Sequence, residues 1–245
     1  MRKKARIGYI SASDPDELGY DFGHLIPESV EMVGASPAQP IRLVTLEAIE
    51  AAEAGLDDVA QDLAGRGVDV IIISIAPMVY VKGHGYDEHL ISRIQRLTGL
   101  PTTTNQTAGI DALHRLGVGR VILLNPNTAD LLDRQVRFFE QSGIHVTATR
   151  CMNIPDNRDI DRVDEAMSHR FIQEAVTAAP PAEGLYLSGP CWRTLDLIEP
   201  IEQETGLPVV TALQAMVWAS LGMVGVSEPI GGYGRLMRSI GMDAA

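Results

Sequence analysis

Residues 94–108 have the sequence IQRLTGLPTTTNQTA, and residues 201–215 have the sequence IEQETGLPVVTALQA. Both segments contain Thr-Gly-Leu-Pro, which starts at Thr98 in the first and at Thr205 in the second. In each segment a Gly that stops a helix is followed by a Pro that opens a short strand, and a new helix follows the strand. This repetition predicts an internal duplication, with chance similarity as the alternative.

Two further correspondences favour duplication over chance. Ile73-Ser-Ile-Ala-Pro77 matches Leu187-Ser-Gly-Pro-Cys191, a short distance before each repeated segment. The openings Arg6-Ile-Gly-Tyr-Ile10 and Arg120-Val-Ile-Leu-Leu124 also correspond. Three similarities in the same order along the chain predict two similar halves.

Short apolar runs alternate with longer amphipathic stretches along the whole sequence. The run Val70–Ile73 is continuously apolar, which is typical of a strand covered on both faces of a parallel sheet. The alternation predicts an α/β fold with parallel sheets. The predicted strands are 6–11, 41–46, 69–75, 101–104, 119–124, 145–149, 184–188 and 208–211, and the clearest predicted helices are 47–66, 128–142 and 192–205.

We therefore predict two pseudo-symmetric α/β halves with a site in the cleft between them. The first half is 1–115, with the C-terminal segment 215–245 packing back on it, and the second half is 116–214. Ligands in open α/β sheets bind beyond the carboxyl ends of the strands. The predicted site is lined by the segments that follow strands in both halves, namely Ser11 to Ser13, Ser74 to Pro77, Asn125 to Asn127 and Ser188 to Cys191.

The composition argues against several classes of partner and site. The chain has 245 residues, 45% hydrophobic, and a formal net charge of −12, which does not suit nucleic acid as a partner. No apolar run approaches the roughly 20 residues needed to cross a bilayer, so no membrane partner is expected. Two cysteines in a chain of this size do not suggest a disulfide scaffold, and we expect a cytoplasmic protein. The six histidines are scattered, so no metal site is predicted.

The sequence resembles the aspartate/glutamate racemase superfamily, and within it the arylmalonate decarboxylase and maleate isomerase branch. The resemblance rests on IGYI near the start, TGLPTTTNQTAGIDALHRLGVGRVILLN in the middle, RTLDLIEPIEQETGLPVV further on, and GGYGRL near the end. It implies two pseudo-symmetric α/β halves with the site between them. It also implies cofactor-free chemistry at a carbon next to a carboxylate, so no cofactor is expected and a small carboxylate is the expected substrate.

Within this superfamily, the resemblance implies that the number and positions of the cysteines indicate the reaction. The resemblance implies two cysteines, one from each half, for a racemase, and one nucleophilic cysteine with an assisting second for a maleate isomerase. For an arylmalonate decarboxylase it implies a single second-half cysteine that protonates an enediolate. Here the first-half position at 75–77 has no cysteine, which disfavours a racemase. The resemblance places the usual second-half cysteine at Gly189, two residues before Cys191. It also implies a tyrosine in the 125–128 loop, where this chain has Asn127.

Cys191 is the predicted catalytic residue. The pattern Pro190-Cys191-Trp192 predicts a first helical turn, and a helix N-terminus favours the thiolate. The alternative is an inert buried cysteine, because free cysteines are among the most buried residues. If Cys191 points away from the cleft, Lys82 or His84 in the longer first-half loop would be the natural acid or base.

Small polar residues and loop amides are the predicted substrate-binding groups. Ser11 and Ser13 either bind a carboxylate or cap the next segment, and Asn125 and Asn127 either bind it or stabilise a turn. The predicted substrate-binding residues are Ser11, Ser13, Ala76, Pro77, Met78, Asn125, Asn127, Gly189 and Pro190.

The favoured hypothesis is a cofactor-independent lyase that cleaves a bond at the α-carbon of a small carboxylate or dicarboxylate, with Cys191 as proton donor. The runner-up is a maleate-isomerase-like enzyme with Cys191 as nucleophile. An amino-acid racemase and a non-catalytic carboxylate-binding protein are further alternatives. The sequence leaves open whether the protein forms a homo-oligomer.

Overall fold

Two parallel four-stranded sheets form the framework of the protein in a computed structural model, which describes residues 5–11, 19–37, 41, 43–160 and 162–242. The strand order is β2-β1-β3-β4 in the first sheet and β6-β5-β7-β8 in the second. The identical order in both sheets confirms the predicted α/β fold with two similar halves. The strands are β1 (Ala5–Ser11), β2 (Val30–Ala35), β3 (Val70–Ser74), β4 (Thr102–Thr104), β5 (Arg120–Asn125), β6 (His145–Cys151), β7 (Gly184–Leu187) and β8 (Val209–Thr211).

Helices connect the strands, and a short 3-10 turn at Leu195–Leu197 precedes one of them. The helices in the described residues are α1 (Gly19–Leu25), α2 (Leu46–Ala54), α3 (Leu56–Gly65), α4 (Ala76–Lys82), α5 (Tyr86–Thr98), α6 (Asn105–Arg115), α7 (Ala129–Gln141), α8 (Asn157–Ile160), α9 (Glu165–Ala178), α10 (Ile198–Thr205), α11 (Ala212–Met223) and α12 (Gly234–Arg238). None of the helices in the described part of the chain is long and apolar enough to cross a bilayer.

The repeated Thr-Gly-Leu-Pro segments have the same local structure. Gly99 ends α5 and Gly206 ends α10, each in the left-handed region with φ of 73°. Thr104 and Thr211 cap the following helices, and the hydroxyl of each accepts a hydrogen bond from the backbone N–H three residues later, at 3.1 and 3.0 Å. The two segments therefore share backbone geometry as well as sequence.

The helices that follow the repeated segments join the two halves. Helix α6 packs against α11, and α11 also lies against β3 and β4 of the first sheet. Gly109 of α6 contacts Tyr186 of the second sheet so closely that a Cβ there would lie 2.6 Å from the phenol oxygen. Because the halves share this dense interior, the strand ends of both sheets are held in a fixed relation.

Three predictions of secondary structure were wrong. The strand predicted at 41–46 is not found in the described residues of that range, since Leu43 makes only an isolated bridge with Asp156 and Leu46 begins α2. The missed strand is β2, an edge strand in which Val30 and Val33 are buried and the remaining residues are partly or largely exposed, which weakens the apolar pattern. The helix predicted at 47–66 is divided at Gly55. The helix predicted at 192–205 begins only at Ile198.

The C-terminal segment contacts both halves. The backbone N–H groups of Gly234 and Arg235 donate to Glu199 and Glu202 on α10, which is part of the predicted second half. Arg115, at the end of α6, donates to the backbone carbonyls of residues 239 and 242. Residues 215–242 therefore pack on both halves and not on the first half alone. The domain boundaries at 115 and 214 stay a prediction.

Glu202 is a buried carboxylate that holds this segment in place. Its side chain is 4% exposed and accepts hydrogen bonds from the backbone N–H groups of Val209, at 3.0 Å, and of Arg235, at 3.0 Å. Arg238 lies 3.5 Å from the same carboxylate. Glu202 thus joins α10, β8 and α12.

We expect Glu202→Ala to lower the free energy of unfolding by about 3 kcal/mol, because the buried N–H of Val209 and the part-buried N–H of Arg235 lose their carboxylate acceptor. Urea unfolding followed by circular dichroism measures this loss. Glu204→Ala on the same helix is the matched control, since Glu204 pairs with His169 at the surface and its loss should cost less than about 1 kcal/mol. Equal losses in the two variants would contradict the structural role of Glu202.

Candidate active site

A small cavity lies at the carboxyl ends of β1 and β3 in the first sheet and of β7 in the second. It is lined by groups from both halves of the chain: Tyr9, Ser11, Ser74, Ala76, Pro77, Tyr80, Asn127, Leu131, Asn157, Ile160, Ser188, Gly189, Pro190 and Cys191. This is where parallel α/β sheets place their ligands. Seven of the predicted site residues meet here, namely Ser11, Ala76, Pro77, Asn127, Gly189, Pro190 and Cys191.

Two predicted residues within the described part of the chain, Met78 and Asn125, do not line this cavity. Met78 is fully buried in the core behind it. Asn125 is 1% exposed, and its side chain is hydrogen-bonded to Gln135 and to the backbone of Asn127. These two predictions of substrate contact therefore lack support in the structure, because neither side chain reaches the cavity wall. Ser13 lies outside the described residues.

Lys82 and His84, the alternative acid or base, are also placed elsewhere. The Lys82 ammonium lies 2.9 Å from a Glu53 carboxylate oxygen, and the His84 ring lies 5.7 Å from the ring of Phe138. Neither residue is among those that line the cavity. Among the cysteines, lysines and histidines of the described residues, Cys191 is therefore the one that lines the cavity.

Cys191 lies in a tight turn and not in a helix. The N–H of Trp192 donates to the carbonyl of Gly189 at 3.0 Å, which closes a four-residue turn with Cys191 at its third position. The predicted first helical turn was wrong, because α10 begins only at Ile198. The indole N–H of Trp192 donates to the buried hydroxyl of Ser168 at 2.9 Å, which anchors the turn. The half-buried thiol is presented to the cavity by this anchored turn and not by a helix N-terminus.

Gly189, the position where the resemblance places a cysteine, cannot hold a side chain in this conformation. Its φ is +87°, a region that L-residues rarely adopt. A Cβ there would lie 2.9 Å from Cγ and 3.2 Å from Cδ of Pro126. The thiol therefore reaches the cavity from position 191, and Pro126 blocks the usual position.

Three serine hydroxyls form the polar side of the cavity. Ser11 and Ser74 are paired in register on the neighbouring strands β1 and β3, and Ser188 directly follows β7. All three are at least 95% buried, with exposures of 3%, 3% and 5%. Among the described residues the Ser74 Oγ has no hydrogen-bond partner, although most buried polar atoms have one. A ligand oxygen in the cavity would supply the missing partner.

The cavity combines neutral polar groups with an apolar wall. Among the described residues that line it, none is Asp, Glu, Lys, Arg or His. Leu131, Ile160 and Pro77 provide apolar surface, while hydroxyls, amides and one thiol provide the polar groups. The described lining residues would hold an anion here by hydrogen bonds. Preorganised dipoles of this kind can stabilise a negative charge that develops during a reaction.

An asparagine pair forms part of the cavity wall. Asn127 Nδ2 donates to Asn157 Oδ1 at 3.0 Å, and Asn157 Nδ2 donates to the carbonyl of Ile41 at 3.1 Å. These bonds tie the loops of both halves together across the site. The cavity volume is about 50 Å³, which is room for a few water molecules, so a substrate with an aromatic ring needs more space than this conformation provides.

Several lining residues were not predicted to bind substrate. Tyr80 lies one helical turn after Ala76, so the helical period alone places the two on one face of α4 and could have identified it. Tyr9 is the third-last residue of β1 and shares its face with Ser11, a signal of period two. Asn157 and Ile160 belong to a short helix far along the chain from the other site loops, and no sequence signal brings them here.

A larger and more open groove, of about 790 Å³, lies at the other end of the first sheet. It is lined by Ala5 and Val30 at the starts of β1 and β2, by Asp69, and by residues 223–228. Amino ends of parallel strands do not usually bind ligands, so the smaller cavity is the stronger candidate. Among the described residues, no group of three or more His, Cys, Asp or Glu side chains could hold a metal ion.

Comparisons with known proteins agree with the two-sheet α/β fold. The family model described as arylmalonate decarboxylase matches residues 36–237. The arylmalonate decarboxylase of Bordetella bronchiseptica is 31% identical over 194 residues, which cover 79% of this chain and 81% of that protein. The maleate isomerase of Geobacillus stearothermophilus is 25% identical over 251 residues, which cover 97% and 98%.

A solved structure extends the similarity to three dimensions. The crystal structure of a double mutant of arylmalonate decarboxylase in a liganded form superposes with a TM-score of 0.87 and 28% identity. The match covers 95% of this chain and 98% of that one. The chain is thus an enzyme that belongs to the arylmalonate decarboxylase family, in the arylmalonate decarboxylase and maleate isomerase branch of the aspartate/glutamate racemase superfamily.

Proposed function

We propose that the protein is a cofactor-independent carbon–carbon lyase that decarboxylates a small malonate-type dicarboxylate, with Cys191 as the proton donor. One observation carries the proposal: a single thiol from the second half meets three serine hydroxyls and an apolar wall in one cavity, whose described lining residues carry no charged side chain. The similarity to the Bordetella bronchiseptica arylmalonate decarboxylase supports the same reaction class.

The proposed reaction uses only groups of this cavity. Ser11, Ser74 and Ser188 hold the carboxylate that is retained, while the carboxylate that leaves faces the apolar wall. The carbon–carbon bond breaks, its electron pair enters an enediolate, and carbon dioxide departs. The hydroxyls and loop amides stabilise the enediolate charge. The Cys191 thiol then gives its proton to the α-carbon, and the thiolate regains a proton from water.

Cis–trans isomerisation is the second candidate, because the Geobacillus stearothermophilus relative is a maleate isomerase. In that reaction Cys191 would attack the double bond as a nucleophile. Maleate carries a carboxylate at each end of a short double bond, so one of the two would face Leu131 and Ile160 and lose its hydration. A racemase is third, since the described cavity wall contains no cysteine from the first half.

A substrate panel in buffered D2O, followed by proton NMR, tests the proposal. The panel is phenylmalonate, maleate, and D- and L-aspartate. We expect phenylmalonate to give phenylacetate with a single deuterium at the α-carbon. Fumarate from maleate would replace the proposal with isomerisation, and α-deuterated aspartate would replace it with racemisation. Binding of a carboxylate without any reaction would identify a catalytically silent binding protein.

A further inference from the structure

We infer that Tyr80 is a hydrogen-bond donor to the substrate carboxylate, and that Asn125 and Gln135 orient its hydroxyl for this role. The inference rests on the proposed function of the cavity as a carboxylate site. Tyr80 lies on α4 in the first half and lines the cavity, whereas Gln135 lies on α7 in the second half. Helices α4 and α7 pack against each other, so the three side chains form a bridge between the halves.

The direction of each hydrogen bond in this bridge follows from one unambiguous donor. The backbone N–H of Asn127 donates to Asn125 Oδ1 at 2.6 Å, which fixes the orientation of the Asn125 amide. Its Nδ2 must then donate to Gln135 Oε1, at 2.7 Å. Because Gln135 Oε1 is the acceptor of that bond, Gln135 Nε2 faces the phenol oxygen of Tyr80 and donates to it at 3.2 Å. A donor faces the phenol oxygen, so that oxygen accepts and its own proton points elsewhere.

The environment of Tyr80 keeps that proton on the oxygen. Burial raises the pKa of the Tyr80 phenol well above its usual value, so the hydroxyl stays neutral and able to donate. The Gln106 amide lies beside the hydroxyl and interacts with it, and among the described residues neither of its polar atoms has a well-formed hydrogen bond. A carboxylate oxygen in the cavity is a stronger acceptor than a neutral amide.

The bridge also explains why Asn125 and Gln135 are polar at buried positions. Asn125 is 1% exposed and Gln135 is fully buried, and neither lines the cavity. Buried amides are costly unless they are hydrogen-bonded, and a fully satisfied pair fixes one arrangement of the groups around it. Asn125 and Gln135 are therefore positioning residues, and Tyr80 is the group that touches the substrate.

The test compares Tyr80→Phe with Tyr186→Phe, which removes a second buried phenol that does not line the cavity. Phenylacetate is the binding probe, measured by titration calorimetry, and turnover is measured with phenylmalonate. We expect Tyr80→Phe to weaken phenylacetate binding and to lower kcat/KM by about tenfold to a hundredfold, because one hydrogen bond to a charged group is lost. Tyr186→Phe should change both less than about twofold.

Gln135→Glu tests the positioning role. A carboxylate cannot donate to the phenol oxygen, so in this variant the Tyr80 proton turns toward the new carboxylate on α7 and away from the cavity. We expect binding to weaken about as much as in Tyr80→Phe, and the double variant to show no further loss. A purely structural role of Gln135 would instead lower thermal stability and leave phenylacetate binding unchanged, which would overturn the positioning role.

Failure of this inference can be told apart from failure of the proposed function. If the wild-type protein binds phenylacetate but does not decarboxylate phenylmalonate, the proposed reaction is wrong, and the binding data still decide the role of Tyr80. If Tyr80→Phe binds phenylacetate as tightly as the wild type does, the inference is wrong whatever the reaction. If the wild type binds neither phenylacetate nor maleate, the cavity is not a carboxylate site and both fail.

Discussion

Cys191→Ala is expected to lower kcat/KM for the decarboxylated substrate by about a thousandfold, while substrate binding stays within a few-fold of the wild type. A positioned general acid accelerates a reaction by about 10²–10⁴-fold, and the described cavity wall contains no other thiol, carboxyl or imidazole. Burial raises the pKa of the Tyr80 phenol further above that of an ordinary thiol, which makes it the weaker acid. Steady-state kinetics with the substrate identified by the NMR panel measures the loss.

The chain offers a matched control for this variant. Cys151, the second cysteine, lies on β6 and outside the cavity wall, so Cys151→Ala should retain full activity. Alkylation by iodoacetamide should inactivate the wild type and Cys151→Ala but not change the residual rate of Cys191→Ala. Full activity in a correctly folded Cys191→Ala variant would show that the proton comes from another group or from water.

The repeated segments predicted the two-sheet fold because their helix stops, strand starts and helix caps are each set by neighbouring residues. A helix stop at Gly99, a short strand and a cap at Thr104 are each set by neighbouring residues, and the same signals recur at Gly206 and Thr211. Once both halves are recognised as parallel sheets, the rule that ligands bind at carboxyl strand ends brings most of the site together.

The remaining parts of the site depend on long-range packing that no local pattern reveals. Asn125 ends a strand at the site, as predicted, but its side chain turns inward because Gln135 and the backbone of Asn127 satisfy it. Asn157 reaches the cavity from the short helix α8, far along the chain from the other site segments. Pro190 predicts a helix start at Cys191, because proline is common in a first helical turn. In the structure, Gly189 in the left-handed region and the anchored Trp192 form a separate turn before the helix α10 begins.

Moving the thiol from position 191 to position 189 is expected to fail. The exchange variant Gly189→Cys with Cys191→Gly restores the cysteine position that the family resemblance implies, but the loop geometry here opposes it. A left-handed conformation costs an L-residue about 1–2 kcal/mol, and the new Cβ would lie 2.9 Å from Pro126 Cγ. We expect thermal denaturation to show a melting temperature about 5 °C lower, and kcat/KM to fall as far as in Cys191→Ala.

Two further variants separate the contributions of strain and of thiol position. Gly189→Ala keeps Cys191 and adds only the Cβ, so it should lose stability to the same extent and lose part of the activity as the turn shifts. Adding Pro126→Gly to the exchange variant removes the ring atoms that block position 189, and part of the activity should return if the thiol then enters the cavity. Wild-type activity in the exchange variant alone would mean that Pro126 does not determine where the thiol acts. Loss in the exchange variant with recovery after Pro126→Gly would instead show that the proline and the shifted cysteine depend on each other, so that neither position can be changed alone without loss of the proton donor.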